Sequence, residues 1–60
     1  MRLKERREAQ NLTQIGLASL MGVGQNTVSQ WETGERTPRA DKLVQLAQIL
    51  GCTVDELLRG

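Results

Sequence analysis

The hydrophobic positions of this chain recur every three or four residues and are interrupted by glycines, which predicts short helices joined by tight turns. The clearest apolar stripe follows the break at Pro38 and consists of Leu43, Leu46, Ala47 and Leu50. Their spacing of i, i+3, i+4 and i+7 is typical of one face of an amphipathic helix. Gly51 comes next, and glycine often ends a helix because it adopts the left-handed backbone conformation without a steric penalty.

The two ends of the chain predict one further helix each. Residues 2–10 contain good helix formers and neither Gly nor Pro, although Leu3 and Ala9 provide only a poor apolar stripe. Near the other end, Thr53 and Glu56 have the spacing of a capping box, which marks the start of a helix.

Two leucines follow that capping box, Leu57 and Leu58. They are expected to close the hydrophobic core, and a small interface with a second chain is the alternative. Cys52 lies just before them in an apolar stretch and is expected to be a small core residue rather than a reactive thiol.

Two more helices are predicted between residues 14 and 33. Thr13 is a candidate N-cap for a helix over residues 14–21, and Gly22 ends it. The next helix begins at Gly24, runs to about Glu32 and is closed by Gly34. With five short helices and no convincing strand, the chain is predicted to be an all-α domain.

The residues within 14–33 match what two helices need in order to cross closely after a short turn. Ala18 is small where the second helix must approach the first, and Gly22 lies in the turn. The apolar contact between the two helices is assigned to Leu17, Met21, Val23, Val28 and Trp31.

The second helix of this pair has a polar face that needs an explanation. Val28 and Trp31 are its large apolar side chains and are expected to point inward. The side chains that then point outward are Asn26, Ser29, Gln30 and Thr33, with Gln25 in the first turn. Gln and Asn amides match the donor and acceptor that adenine presents in the major groove of DNA. The alternative is a merely polar face in contact with water.

Composition excludes several classes of function. The chain has 60 residues, enough for one domain, and no His, so neither a zinc site nor a catalytic His pair is expected. Cys52 is its single cysteine, which excludes an internal disulfide. The apolar runs are too short for a membrane helix, and a soluble, cytoplasmic protein is expected. No catalytic residue, metal or cofactor is predicted.

The charge is weak but unevenly distributed. The formal net charge is +1, which is low for a nucleic-acid-binding protein. Residues 1–39 carry six Lys and Arg against four Glu, whereas residues 40–60 carry two against three acidic residues. The positive charge is therefore concentrated at the N-terminus and around the segment "GERTPR", and a solvated surface is the simpler interpretation of it.

Taken together, these segments resemble the lambda-repressor/Cro-like (Xre-type) helix-turn-helix family. The matching motifs are "LTQIGLA" (12–18), "MGVGQNTVSQWETGERTP" (21–38) and "LVQLAQILGCTVDELL" (43–58). The resemblance extends from Leu3 to Leu58. It implies a compact five-helix, lambda-repressor-like DNA-binding domain over residues 1–60, with the helix-turn-helix formed by the second and third helices.

The resemblance also implies roles for individual residues. Helix 14–21 would lie across the DNA backbone, and helix 25–32 would enter the major groove. The base-reading positions are Gln25, Asn26, Thr27 and Gln30. The backbone-contacting positions are Thr13, Gln14, Gly24, Arg36 and Arg39. Arg7 and Glu32 match a partly buried ion pair between the first and third helices, and Gln14 is expected to brace Gln25.

Several residues depart from the family pattern. Glu35 stands where a lysine is common, and Gly24 replaces a frequent Ser or Thr, which removes a hydroxyl contact to phosphate. Ile15 and Leu20 occupy positions that are usually polar, and Gly16 lies inside a helix at a cost of about 1 kcal/mol relative to Ala.

The function that the resemblance implies is sequence-specific binding of a double-stranded DNA operator by a transcriptional regulator, in particular a repressor. A homodimer, at least on DNA, is expected because one recognition helix reads few bases. The alternative is a protein-interaction module, or an antitoxin that masks a toxin while retaining the helix-turn-helix fold.

Overall fold

Five α-helices follow one another in the computed structural model, which describes residues 1–59. They are α1 (Leu3–Ala9), α2 (Gln14–Met21), α3 (Gln25–Thr33), α4 (Ala40–Leu50) and α5 (Val54–Arg59). No strand is present within this part of the chain. The predicted all-α class and the order of five helices are confirmed, and α3 is one residue longer at its C-terminal end than predicted.

The N-terminal ends of two helices are capped as their sequences predict. At α2, the Thr13 hydroxyl accepts a hydrogen bond from the backbone N–H of Gly16 at 2.9 Å. At α5, the Thr53 hydroxyl accepts from the N–H of Glu56 at 3.0 Å, and the Glu56 carboxylate accepts from the N–H of Thr53 at 2.9 Å. These bonds satisfy backbone donors that a helix leaves free at its start.

The turn between α2 and α3 depends on the left-handed conformation of Gly22, whose φ is 69°. The chain then reverses so that the N–H of Val23 donates to the carbonyl of Ala18 at 3.0 Å. A similar reversal follows α1, where Asn11 has a φ of 58° and the N–H of Leu12 donates to the carbonyl of Arg7. Asn is one of the few residues other than Gly that tolerates this conformation.

Replacing Gly22 with alanine is expected to destabilise the domain by about 1–2 kcal/mol. A Cβ atom at this position would meet no atom within 4 Å, so the cost arises from the positive φ alone. Gly22→Asn is the matched control and is expected to lose clearly less stability. Urea denaturation followed by circular dichroism measures both, and equal losses for the two variants would contradict the explanation.

The hydrophobic core draws on all five helices. Its buried side chains are Leu3, Leu17, Ala18, Met21, Val28, Trp31, Leu46, Leu50 and Leu57. Leu43 and Cys52 are half-buried against this cluster. The domain measures 24 × 23 × 18 Å, and α2 and α3 make the most extensive contact between any two helices.

Two expectations about the core need correction. Leu57 is fully buried, but Leu58 is 44% exposed and contributes little to the core. On α1, Ala9 is exposed, and the inward position beside Leu3 belongs to the charged side chain of Arg7. The spacing of apolar residues could not predict the buried face of α1, because its second buried residue is an arginine.

Within residues 1–59, no helix combines the length and the apolar character that crossing a membrane requires.

Candidate nucleic-acid interface

The buried side of α3 determines which of its side chains face outward. Val28 has no exposed surface and Trp31 is 6% exposed. Both pack in the core with Ala18 of α2, which is 3% exposed. A small side chain at this point of α2 allows the two helices to approach closely. Because this side of α3 is fixed in the core, the polar side chains on its other side face away from the core.

The five polar side chains at the start and on the outer side of α3 differ in their exposure. Gln25 and Asn26 are exposed, and Thr27, Ser29 and Gln30 are half-buried. The structure thus brings all four predicted base-reading residues to one helix, with the first two reaching furthest into solvent. Their contact with DNA bases remains a prediction.

Gln30 has a partner that sequence reasoning missed. Its side-chain N–H donates to the carboxylate of Glu35 at 3.0 Å, and Glu35 lies in the turn after α3. The sequence showed Glu35 only as an acidic residue at a position that is often basic. The structure shows that it binds a predicted base-reading amide, which requires the turn at Gly34 to fold back along the helix.

A buried ion pair joins α1 to α3. The Nε atom of Arg7 donates to Glu32 at 2.7 Å, and the two side chains are only 9% and 6% exposed. A second guanidinium N–H of Arg7 donates to the carbonyl of Leu12 at 2.7 Å. Charged groups in such a position need this degree of pairing, because removing an ion from water is costly.

The ion pair keeps both groups charged at neutral pH. Burial alone would raise the pKa of Glu32, but hydrogen bonds from Arg7 and Gln14 and the positive charges of Arg7 and Lys4 lower it overall. The hydrogen bond to Glu32 raises the pKa of Arg7. Because the pKa of Glu32 is lower in the folded state, its stabilising contribution is complete above its unfolded pKa of about 4.3. That contribution is lost as the pH falls through the folded-state pKa.

Gln14 connects this ion pair to the start of α3. Its amide nitrogen donates to Glu32 at 3.0 Å, and its amide oxygen accepts a hydrogen bond from the amide nitrogen of Gln25 at 3.4 Å. Gln14 thus contacts Gln25 as the resemblance implies. Its bond to Glu32 is an additional contact that no local sequence pattern indicated.

The remaining predicted backbone-contacting residues lie at helix starts and in the loop before α4. Thr13 and Gly24 are the N-cap residues of α2 and α3, where free backbone N–H groups can bind phosphate. Arg36 and Arg39 are both exposed. The Nε atom of Arg39 lies 3.7 Å from the Asp41 carboxylate, in a pair whose side chains are 83% and 67% exposed.

The comparisons with known proteins agree with this architecture. A helix-turn-helix family model matches residues 3–57. In structure, the chain is similar to the DNA-binding domain of the P22 C2 repressor (residues 1–76), determined by NMR in solution. The TM-score is 0.90 at 36% identity, over 98% of this chain and 78% of that one.

This chain belongs to the lambda-repressor-like (Xre-type) helix-turn-helix family. Its similarity to repressor protein C2 of Salmonella phage P22 is 36% identity over 59 residues, which cover 98% of this chain and 27% of that protein. An HTH-type transcriptional activator of Enterococcus faecalis, BcrR, is also 36% identical, over 98% of this chain and 29% of its own length. An uncharacterized HTH-type transcriptional regulator of Sinorhizobium fredii, y4mF, is 41% identical over 90% of this chain and 71% of its own length.

The chain therefore spans under a third of the length of the P22 and Enterococcus proteins. The match covers all five helices of the helix-turn-helix domain, from Leu3 in α1 to Leu57 in α5. The resemblance identified from the sequence motifs is confirmed at the level of the family and of the fold.

Proposed function

We propose that this helix-turn-helix domain binds a specific sequence of double-stranded DNA and regulates transcription, as a repressor. The observation that supports it best is the arrangement of α3, which holds Val28 and Trp31 in the core while its exposed amides, Gln25 and Asn26, lie at its start and on its outer side. The similarity to the DNA-binding domain of the P22 C2 repressor supports the same function.

Specificity is assigned to the amides of α3 and affinity to contacts with phosphate. Gln25, Asn26 and Gln30 can each present a donor and an acceptor to adenine, and Thr27 lies beside them for a base or phosphate contact. The free N–H groups at the starts of α2 and α3, together with Arg36 and Arg39, would bind the backbone. A low net charge of +1 implies modest binding to arbitrary DNA, so discrimination between sequences depends mainly on α3.

The substitution Asn26→Ala is expected to relax sequence preference at one base position, with a loss of about 1–3 kcal/mol of discrimination there. Asn26 is exposed on α3, so its replacement should leave the fold intact. Selection of bound sequences from a randomised DNA library measures this preference. Gln48→Ala, on the exposed side of α4, is the matched control and should leave the profile unchanged.

The substitution Arg36→Ala is expected to weaken binding evenly across sequences. It should also make the slope of the logarithm of the binding constant against the logarithm of the salt concentration shallower by about one, because one fewer counterion is released. Binding isotherms at several salt concentrations measure the slope. Arg59→Ala removes the same charge from α5 and should change the slope less. An equal change in the two variants would show that net charge, rather than a contact by Arg36, is responsible.

A two-fold dimer on DNA is part of this proposal. One recognition helix contacts too few base pairs to define a unique site, and dimers of this motif bind half-sites about 34–36 Å apart. The enriched sequences should therefore contain inverted repeats at that spacing. The regulator is proposed to act in the cytoplasm, and no catalytic role is proposed for a chain that has no His to pair with a nucleophile.

A second candidate function is binding of a protein partner, including the toxin-masking role of an antitoxin. It is favoured by Ile15 and Leu20, which are 63% and 56% exposed on α2. Isolated exposed apolar residues are common on protein surfaces, so this observation carries less weight than the arrangement of α3. If no DNA sequence is enriched at low salt while a protein partner binds tightly, this second function replaces the first.

A further inference from the structure

Four side chains form a continuous chain of hydrogen bonds from the interior of the domain to the exposed start of α3. Arg7 donates to Glu32 at 2.7 Å, and Gln14 donates to the other oxygen of the same carboxylate at 3.0 Å. Gln25 then donates to the oxygen of Gln14 at 3.4 Å. The chain connects α1, α2 and α3, and it ends on a side chain that is expected to read a base.

The carboxylate of Glu32 determines which atom donates and which accepts in each of these hydrogen bonds. An ionised carboxylate accepts hydrogen bonds and cannot donate them. The end of the Gln14 amide that faces Glu32 must therefore be the nitrogen, which leaves its oxygen facing Gln25. Since that oxygen is also only an acceptor, Gln25 must turn its nitrogen toward Gln14 and its oxygen away.

We infer that Glu32 is a specificity-determining positioning residue, which orients the Gln25 amide through Gln14 and thereby sets the order of donor and acceptor that meets a base edge. This inference depends on the DNA-binding function proposed above. Glu32 itself is buried and would not contact the base.

The order of the two amide atoms matters because the base edges are not symmetric. Adenine presents the acceptor N7 beside the donor N6, whereas guanine presents two acceptors, N7 and O6. The Gln25 nitrogen carries two hydrogens, so one can bind Gln14 while the other remains for N7 and the oxygen accepts from N6. In this orientation, the Gln25 amide nitrogen faces N7 of adenine and its oxygen faces N6, so each donor meets an acceptor. A reversed amide would place its oxygen against the acceptor N7 and its nitrogen against the donor N6.

Gln30 and Glu35 provide an internal comparison. The Gln30 nitrogen donates to a carboxylate directly, so its oxygen is likewise turned away. Glu35 is exposed, whereas Glu32 is buried and held by Arg7. Replacing either glutamate with glutamine removes one negative charge and converts a carboxylate into an amide. Only Glu32 is linked to Gln25 by hydrogen bonds, through Gln14.

The test is selection from a randomised DNA library with the wild-type domain, Glu32→Gln and Glu35→Gln. The base position read by Gln25 is first identified as the one at which Gln25→Ala loses its preference. Glu32→Gln lets the Gln14 amide turn either way. The preference at this position is therefore expected to fall from roughly tenfold to about twofold or less. Preference at the position read by Asn26 should remain, and Glu35→Gln should leave the Gln25 position unchanged.

Because Glu32→Gln removes the charge of a buried ion pair, Gln14→Met is a second variant, which keeps the pair of Arg7 and Glu32 and removes the amide that joins Glu32 to Gln25. Gln14 is also a predicted backbone-contacting residue, so this variant is expected to bind all sequences more weakly in addition. It should lose preference at the same single position, and circular dichroism checks that both variants are folded. The inference is wrong if Glu32→Gln and Gln14→Met retain the wild-type profile, if they flatten all positions evenly, or if Glu35→Gln has the same effect at the Gln25 position. If the wild-type domain enriches no sequence, the proposed function itself fails, which is a separate result.

Discussion

Replacing Glu32 with alanine is expected to lower the free energy of unfolding by about 3–5 kcal/mol. The substitution leaves the buried Arg7 with a positive charge and without the carboxylate that it binds. Arg7 cannot escape by losing its proton, because arginine stays charged in proteins. A domain of this size has a total stability of only several kcal/mol, so a large fraction of the variant should be unfolded at room temperature. Urea denaturation at pH 7, followed by circular dichroism, measures the change.

The matched control for this variant is Arg59→Ala. It breaks the ion pair of Arg59 with Asp55, which lies on α5 with side chains that are 80% and 69% exposed. Exposed pairs contribute about 0–1 kcal/mol, and the control should lose no more than that. A loss below about 1 kcal/mol for Glu32→Ala would show that the buried pair does not contribute as its geometry indicates.

Replacing Trp31 with alanine is expected to cost about 3–5 kcal/mol, through the lost burial of the indole and the cavity that remains. Trp31 is the single aromatic residue of the chain and is 6% exposed in a core built mainly of leucine. The variant should also bind DNA weakly, because α3 would lose the packed side chain that fixes its orientation on the core and thereby the position of its exposed amides. Circular dichroism is the appropriate measurement, since the variant has no tryptophan fluorescence.

Leu20→Ala is the control for this second prediction. Leu20 is also a large apolar residue, but it is 56% exposed on α2. Its removal should change stability by no more than about 0.5 kcal/mol. Similar losses for Trp31→Ala and Leu20→Ala would contradict the assignment of Trp31 to the core.

Local patterns were sufficient to predict the helices. The N-cap at Thr13, the capping box at Thr53 and the glycine at position 22 act within one turn of the chain, so each can be recognised from neighbouring residues. The apolar spacing of α4 similarly predicted which of its faces is buried. These signals also correctly placed Val28 and Trp31 inward, from which the outward position of Asn26 follows.

The candidate interface could be predicted only in part. The motifs and the family resemblance predicted which positions of α3 would face DNA, and the comparisons confirm the family. The roles of individual side chains toward bases and phosphates remain predictions. The bond between Gln30 and Glu35 was missed, because an acidic residue near a basic segment gives no local signal of the amide that it binds.

By itself, the sequence determined the class of fold, the number and order of the helices, and the family to which the chain belongs. Only the tertiary structure decided that Arg7 is an inward residue of α1, that Leu57 is buried while Leu58 is not, and that Glu32 is bonded to Gln14. The physical reason is the range of the interactions. Helix periodicity and capping depend on residues within a turn of each other, whereas the contacts of Glu32 join residues 18 and 25 positions apart and exist only once three helices have packed together.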